Sequence, residues 1–412
     1  MPFRFHITFR NSNDSTVRLP GSKSESNRVL IINALSGGKC SILNLSEAAD
    51  TKLLKNALSS TEDTVNVMNA GTSMRFLIAY FSAIRKNIII SGNERMTKRP
   101  VEPLVDALQF LGADIEYLKN DGYPPVKINE KKSFLKGGKV KVAANISSQF
   151  ISALLLIAPT LNDGLCIELD GNIASKTYIE MTLSIMKQFG IEYSWTGNTI
   201  SVKQQEFRAC EFTVESDWTS ASYWYSIIAL SKNSAVFLEG LKRNSFQGDS
   251  IISKWAEAFG VVSEFSDNGV FLTKEKEDFS KFPRIIDFTN YLDLAQTLIP
   301  LFAATGIECR FKGLENLRIK ETDRIAALQN ELKKFNIHLT EESEDVYAIQ
   351  GNFNKNVFPT IETYNDHRMA MSFAPLSMIC KGITITNPDC VFKSYPGFWN
   401  DLESAGFKIE KS

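Results

Sequence analysis

The chain has 412 residues, enough for two or three domains at roughly 150 residues each, with material for real hydrophobic cores. Apolar residues make up 43% and charged residues 23%, which excludes a disordered chain. Lys and Arg number 46 against 47 Asp and Glu, a net charge of −1 without the basic excess of a nucleic-acid or membrane-surface binder.

Taken from the N-terminus, the start lacks an apolar signal-peptide core, and the longest apolar runs, such as 76–84 and 152–157, fall short of a membrane span. Six scattered cysteines without a CxxC pair fit a reducing compartment, and three histidines give no zinc-ligand spacing. These features predict a cytoplasmic protein. Pro20-Gly-Ser-Lys-Ser-Glu-Ser-Asn-Arg28 then precedes an apolar run, and Ser22 with Glu25 has capping-box spacing, which predicts a helix start. Lys23 and Arg28 flank small hydroxyl and amide residues there, a ready anion site, although a capped helix with a solvated lysine also fits. The GxxxxGK[ST] nucleotide loop is absent.

The same grammar returns at Asn69-Ala-Gly-Thr-Ser-Met-Arg75, at Ser147-Ser-Gln149 and at Ser175-Lys-Thr-Tyr178, each ahead of an apolar segment. One such start is a cap, whereas several in one domain predict a shared anion-binding rim. Cationic clusters follow at Arg95-Met-Thr-Lys-Arg-Pro100, Arg318-Ile-Lys-Glu-Thr-Asp-Arg324, Asp366-His-Arg368 and Lys393. Each alone reads as a solvated face or an ion pair. Jointly they favour a polyanionic small molecule, since Arg suits bidentate recognition of carboxylate and phosphate.

A repeat underlies these motifs. An amphipathic helical segment, a residue tolerant of positive φ and an alternating strand recur with closing residues Gly112, Gly190, Gly260, Asn336 and Gly406, at intervals of 78, 70, 76 and 70. One period earlier, 51–58 is a further short helical segment, so six units are expected, the first abbreviated, in two domains of three.

The motifs from Pro20 to Arg28, from Asn69 to Arg75, from Arg95 to Pro100, from Arg318 to Arg324 and from Asp366 to Met371 together resemble the 5-enolpyruvylshikimate-3-phosphate synthase family, in the family's order and across essentially the whole chain. The resemblance implies an α+β fold of α/β repeats, a two-domain inverse α/β barrel of three βαβαββ units per domain. It divides the chain into a domain at 20–214, on the shikimate 3-phosphate side, and a second at 1–19 with 215–412, with hinge crossovers near 17–20 and 213–216. It also implies transfer of the enolpyruvyl group of phosphoenolpyruvate to shikimate 3-phosphate, without metal or organic cofactor, in a protein expected to be a monomer.

Carried across by motif, shikimate 3-phosphate falls to Lys23, Ser24, Arg28, Ser147, Ser148, Gln149, Ser175, Tyr178, Asp293, Asn316 and Lys320. Phosphoenolpyruvate falls to Lys23, Gly71, Arg95, Gln149, Arg324, Arg368 and Lys393. The catalytic candidates are Lys23, Asp293 at the 5-hydroxyl and Glu321 at the methylene carbon, and the resemblance predicts closure of the domains on binding. Read without the resemblance, Asp293 is better taken as a buried cap or ion-pair partner. Two departures stand out: a short 43–68 segment, and Phe76 where a proline is common. The UDP-N-acetylglucosamine enolpyruvyl transferase family fits less well, because Lys23-Ser24 replaces Lys-Asn and no cysteine lies between Cys40 and Cys166. A non-catalytic anion binder on the same scaffold would need neither Glu321 nor Asp293.

Overall fold

All five repeat-closing residues take left-handed backbone, with φ 103° at Gly112, 82° at Gly190, 76° at Gly260, 61° at Asn336 and 98° at Gly406. The computed structural model that shows this describes residues 3–10, 14–130, 134–281 and 283–412. The chain forms two compact units, Ser22–Val214 and the pair Met1–Gly21 with Glu215–Ser412.

The first unit holds α1 (Lys23–Leu35), α2 (Ala49–Ser59), α3 (Gly71–Ile84), α4 (Glu102–Phe110), α5 (Ser148–Ile157) and α6 (Lys176–Gln188). Two of its sheets share one pattern. Thr64–Asn66 runs parallel to Ile88–Ser91 across α3, and the hairpin of Ile115–Tyr117 and Val126–Ile128 adds antiparallel. Gly138–Ala143 runs parallel to Leu165–Asp170 across α5, and Tyr193–Thr196 with Thr199–Val202 completes that sheet. The third sheet is only Ser41–Leu43 parallel to Glu211–Thr213, so the short 43–68 segment supplies no hairpin among the described residues. Strands such as Gly138–Ala143 and Thr199–Val202 alternate buried and accessible residues, whereas α5 buries every position from Phe150 to Ile157. A helix apolar on all sides belongs in the interior and a half-buried strand at the surface. Helices therefore form the core, and truncating Leu154 or Leu155 would cost roughly 2–5 kcal/mol.

The other unit holds α7 (Trp218–Leu230), α8 (Ile252–Trp255), α9 (Ala295–Thr305), α10 (Arg324–Lys333), α11 (His367–Phe373) and α12 (Phe398–Ser404). Its three sheets repeat the parallel pair plus hairpin. In the last, Arg4–Phe9 lies between Ile383–Thr386 and Phe407–Lys411, where other sheets place a hairpin strand. The two connecting segments exchange roles. Ser15–Arg18 leads into α1 yet pairs with Val236–Glu239, and Glu211–Thr213 leads into α7 yet pairs with Ser41–Leu43.

One repeat departs from expectation. The helix expected before Gly260 is the single turn α8 between 3₁₀ turns Gly248–Ile251 and Ala256–Phe259. Trp255 packs edge-on against Phe288 and Tyr291, and Phe259 against Phe302, so tertiary contacts outweigh helical propensity there. Among the described residues no helix is long and apolar enough to cross a membrane.

Candidate active site

In the first unit, side-chain bonds tie together the opening turns of several helices. The Ser22 hydroxyl accepts the Glu25 N–H at 3.4 Å, which starts α1 with Lys23 as its first residue. Lys23 Nζ lies 3.3 Å from Oδ2 of Asp50 in the first turn of α2, and Ser73 in α3 donates to the Asp50 carbonyl at 3.1 Å. Gln149 in α5 donates to the Thr72 hydroxyl at 3.3 Å, while Ser147 caps α5 by accepting the Gln149 N–H. The result is a ring of Gly, Ser and Thr residues at helix N-termini, where exposed N–H groups and aligned dipoles favour anions.

Arg28 lies beneath this ring. Its Nε donates to Thr182 at 2.7 Å, Nη1 to the Ser24 carbonyl at 2.8 Å, and Nη2 to Ser152 at 3.2 Å and to the Tyr178 carbonyl at 3.1 Å. Its guanidinium carbon sits 5.6 Å from the Phe76 ring centre and 5.9 Å from that of Tyr178. Burial pulls its pKa down to about 10, with Tyr178 and Glu25 acting in the opposite sense. Arg28 thus braces α1, α5 and α6, and Phe76, the departure from the usual proline, backs this guanidinium. Ser175, immediately before α6, has φ 55° and makes no capping bond with its hydroxyl. A non-glycine residue in that conformation stores strain, and such strain gathers at functional sites.

The Arg95 motif is fastened to the start of α3. Arg75 donates to the Pro100 carbonyl at 2.5 Å and to the Gly71 carbonyl at 3.1 Å. The Arg99 guanidinium covers Gly71 closely enough that a Cβ there would lie 2.5 Å from Nη2. Arg95 itself is half-buried and precedes the 3₁₀ turn Met96–Lys98. Sequence reasoning missed two residues here. Arg99 stood inside a quoted motif, and Asp50 carried only the weak signal of an acid at a helix start.

The second unit gathers charge around one guanidinium. Arg324 opens α10 behind the Asp323 cap and is almost fully buried. Its Nε pairs with Asp366 at 2.7 Å, its Nη2 with Glu321 at 2.9 Å and its Nη1 with Asp293 at 3.3 Å. Burial alone would lower its pKa, but Asp366, Glu321 and Asp293 together hold it above its ordinary value against the opposing charge of Arg368. Arg368 Nη2 reaches the other Asp293 oxygen at 2.9 Å, and Lys393 Nζ the other Glu321 oxygen at 3.2 Å. Each of the two carboxylates is therefore spanned by two cations. Asn316 lies in the 3₁₀ turn Glu315–Ile319, and Lys320 follows it. Asp345 anchors that loop by accepting the N–H groups of Gly313, Leu314 and Glu315 at 2.8, 2.8 and 3.0 Å.

A further acid, Asp249, is buried and accepts the Thr219 hydroxyl at 2.5 Å. Burial first, and the charge of Asp293 second, push its carboxyl up to about 7, while Thr219 and Arg368 oppose the rise. Nothing in its local sequence marked it, because only tertiary placement brings it near Asp293.

The EPSP synthase (3-phosphoshikimate 1-carboxyvinyltransferase) family model matches residues 8–61 and 54–402. A 3-phosphoshikimate 1-carboxyvinyltransferase of Bacteroides fragilis is 44% identical over 409 residues, covering 99% of each chain. One of Haemophilus influenzae is 35% identical over 428 residues, covering 96% of this chain and 97% of the relative. The EPSP synthase structure of Acinetobacter baumannii superposes with a TM-score of 0.77 over all of both chains at 24% identity, which speaks to the fold alone.

Proposed function

Since this chain belongs to the EPSP synthase family and transfers the enolpyruvyl group of phosphoenolpyruvate to the 5-hydroxyl of shikimate 3-phosphate, a step of the shikimate pathway to aromatic amino acids, we propose how its residues divide that work. Residues 20–214 form the shikimate 3-phosphate domain, where Lys23, Ser24, Arg28, Ser147, Ser148, Gln149, Ser175 and Tyr178 hold the phosphate and ring, Arg28 also bracing the helices that carry the others. From 215–412, Asn316 and Lys320 contact the same substrate. Phosphoenolpyruvate is held by Lys23, Gly71, Arg95, Gln149, Arg324, Arg368 and Lys393.

The reaction adds a proton to the methylene carbon of phosphoenolpyruvate while the 5-hydroxyl oxygen bonds to its C2. A tetrahedral ketal forms, then loses phosphate as the methyl group returns a proton. Glu321 is the acid and base at the methyl carbon, and Asp293 receives the hydroxyl proton. The cations that span these carboxylates exchange them for substrate anions, so charge developing in the ketal meets preplaced donors. The observation supporting this division is the Arg324 hub, which pairs at once with Glu321, Asp293 and Asp366.

The protein is a cytoplasmic monomer that acts on small molecules and not on nucleic acid. Phosphate release from phosphoenolpyruvate, with shikimate 3-phosphate or UDP-N-acetylglucosamine as acceptor, tests the activity. The expected outcome is release with the former alone. The residue division fails if Glu321→Gln and Asp293→Asn both retain wild-type turnover.

A further inference from the structure

Arg368 and Lys393 stand on two short segments whose backbone is bent in the same unusual way. Thr363-Tyr364-Asn365-Asp366 is a tight turn in which the Asp366 N–H donates to the Thr363 carbonyl at 2.8 Å. Both central residues have positive φ, 54° at Tyr364 and 56° at Asn365. That is the pattern of a type I′ turn, which Gly and Asn accept and a bulky aromatic residue does not. The turn ends on Asp366, whose carboxylate caps α11 by accepting the Arg368 N–H at 2.9 Å and also pairs with Arg324. The conformation of Tyr364 therefore sets where Arg368 leaves the chain.

Tyr364 is tethered from outside the turn. Its hydroxyl donates to Glu331 Oε1 at 2.9 Å, and the other Glu331 oxygen accepts the Glu362 N–H at 3.0 Å and Lys334 Nζ at 2.6 Å. Glu331 lies on α10, the helix that Arg324 opens, and is fully buried. α10 thus grips the 362–366 segment twice, through Arg324 at its start and through Glu331 two turns later. The turn also reaches the Lys393 segment, because Asn365 and Asn387 bond through their side chains, and Asn387 (φ 44°) immediately precedes the 3₁₀ turn Pro388–Lys393. Burial, and next the Glu331 bond, raise the Tyr364 hydroxyl to about 12, so it remains a donor throughout the working pH range.

We propose that Glu331 and Tyr364 are positioning residues that hold a strained turn in register and thereby aim Arg368 and Lys393 at the phosphoenolpyruvate anion. Neither touches substrate. The proposal rests on the assignment of Arg368 to phosphoenolpyruvate given above.

Steady-state kinetics in phosphoenolpyruvate, at saturating shikimate 3-phosphate, test it alongside melting temperatures. Tyr364→Phe removes only the hydroxyl and should raise KM for phosphoenolpyruvate by roughly tenfold, below the ~10²-fold that a 1 Å misplacement costs, with kcat nearly unchanged. Tyr364→Gly loses the same bond but relieves the backbone strain, so it should melt no lower than Tyr364→Phe and still show the raised KM. Glu331→Gln keeps an acceptor for the hydroxyl and should raise KM less than Glu331→Ala. Wild-type KM in both Tyr364 variants overturns the proposal, as does a lowered melting temperature with wild-type KM. Arg368→Ala separates the two levels: if it raises KM while the Tyr364 variants do not, only the clamp fails. If Arg368→Ala itself leaves KM unchanged, the assignment of Arg368 fails and takes the clamp with it.

Discussion

The polar clusters of the two units are built from different chemistry. In Ser22–Val214, neutral hydroxyls, amides and helix N-termini surround the Lys23–Asp50 pair, and a deeply buried cation, Arg28, spends its donors on Thr182, Ser152 and two backbone carbonyls. In the other unit, Arg324, Arg368 and Lys393 are matched by Asp293, Glu321 and Asp366, so full charges compensate one another at contact distance. A neutral donor ring recognises an anion with little reorganisation. A compensated ion network can release a carboxylate for proton transfer when a substrate anion takes over its cations. The first suits binding and the second suits chemistry.

The largest expected effect separates those roles. Glu321→Gln should lower kcat by ~10²–10⁴-fold with little change in KM, as loss of a proton-transferring group does. Ser175→Ala should raise KM for shikimate 3-phosphate by roughly ten- to hundredfold at most, the worth of one hydroxyl bond to a charged phosphate, with kcat little changed. Equal kcat losses in steady-state assays of the two variants would erase the distinction between the clusters.

Stability sharpens the comparison next. Arg324→Met leaves the buried Asp366 carboxylate without its cation, while Asp293 and Glu321 keep Arg368 and Lys393, and should cost about 3–5 kcal/mol. Arg28→Met strands only neutral acceptors and should cost about 1–3 kcal/mol. Denaturant midpoints for the two variants read the difference directly, and the reverse order would contradict it.

The pH dependence distinguishes Asp249 of one unit from Arg28 of the other by its window. Asp249 is raised from 3.8 to about 7 in the folded protein, so the native state holds a proton that the unfolded state releases between those values. Its contribution is fully present below pH 3.8 and is lost as the pH rises to about 7, which Asp249→Asn should flatten in a melting series. Arg28, lowered to about 10, titrates above that window and adds no slope within it. The smallest effect is expected at Gly71→Ala. The added Cβ meets the flexible end of Arg99, so that side chain moves aside and KM for phosphoenolpyruvate rises a few-fold, about 1 kcal/mol. Combined with Arg99→Ala, the two changes should be strongly non-additive, as a double-mutant cycle would reveal.

Local features were legible in the residue order because they are decided within one helical turn. Ser22 and Ser147 cap the helices that follow them, and the five closing residues turn left-handed where the periodicity ends. The six-unit repeat was legible for the same reason, since each unit restates a local pattern, and the missing hairpin of the first unit could be read from the short 43–68 segment. The broken helix before Gly260 was not, because aromatic packing from distant segments overrides its amphipathic pattern.

Contacts far apart in sequence were decided by tertiary structure alone. Nothing in the order of residues says that Arg28 turns inward to Thr182, 154 positions away, when its motif reads as an anion site or as a capped helix with a solvated lysine. Nor does it say that Asp293, 31 residues before Arg324, and Asp366, 42 after it, close on one guanidinium, or that Lys393 reaches Glu321 across 72. Periodicity and capping specify which residues share a face or a turn. Which charges meet depends on how the sheets and helices pack, and ion pairs buried by that packing leave no trace in local spacing.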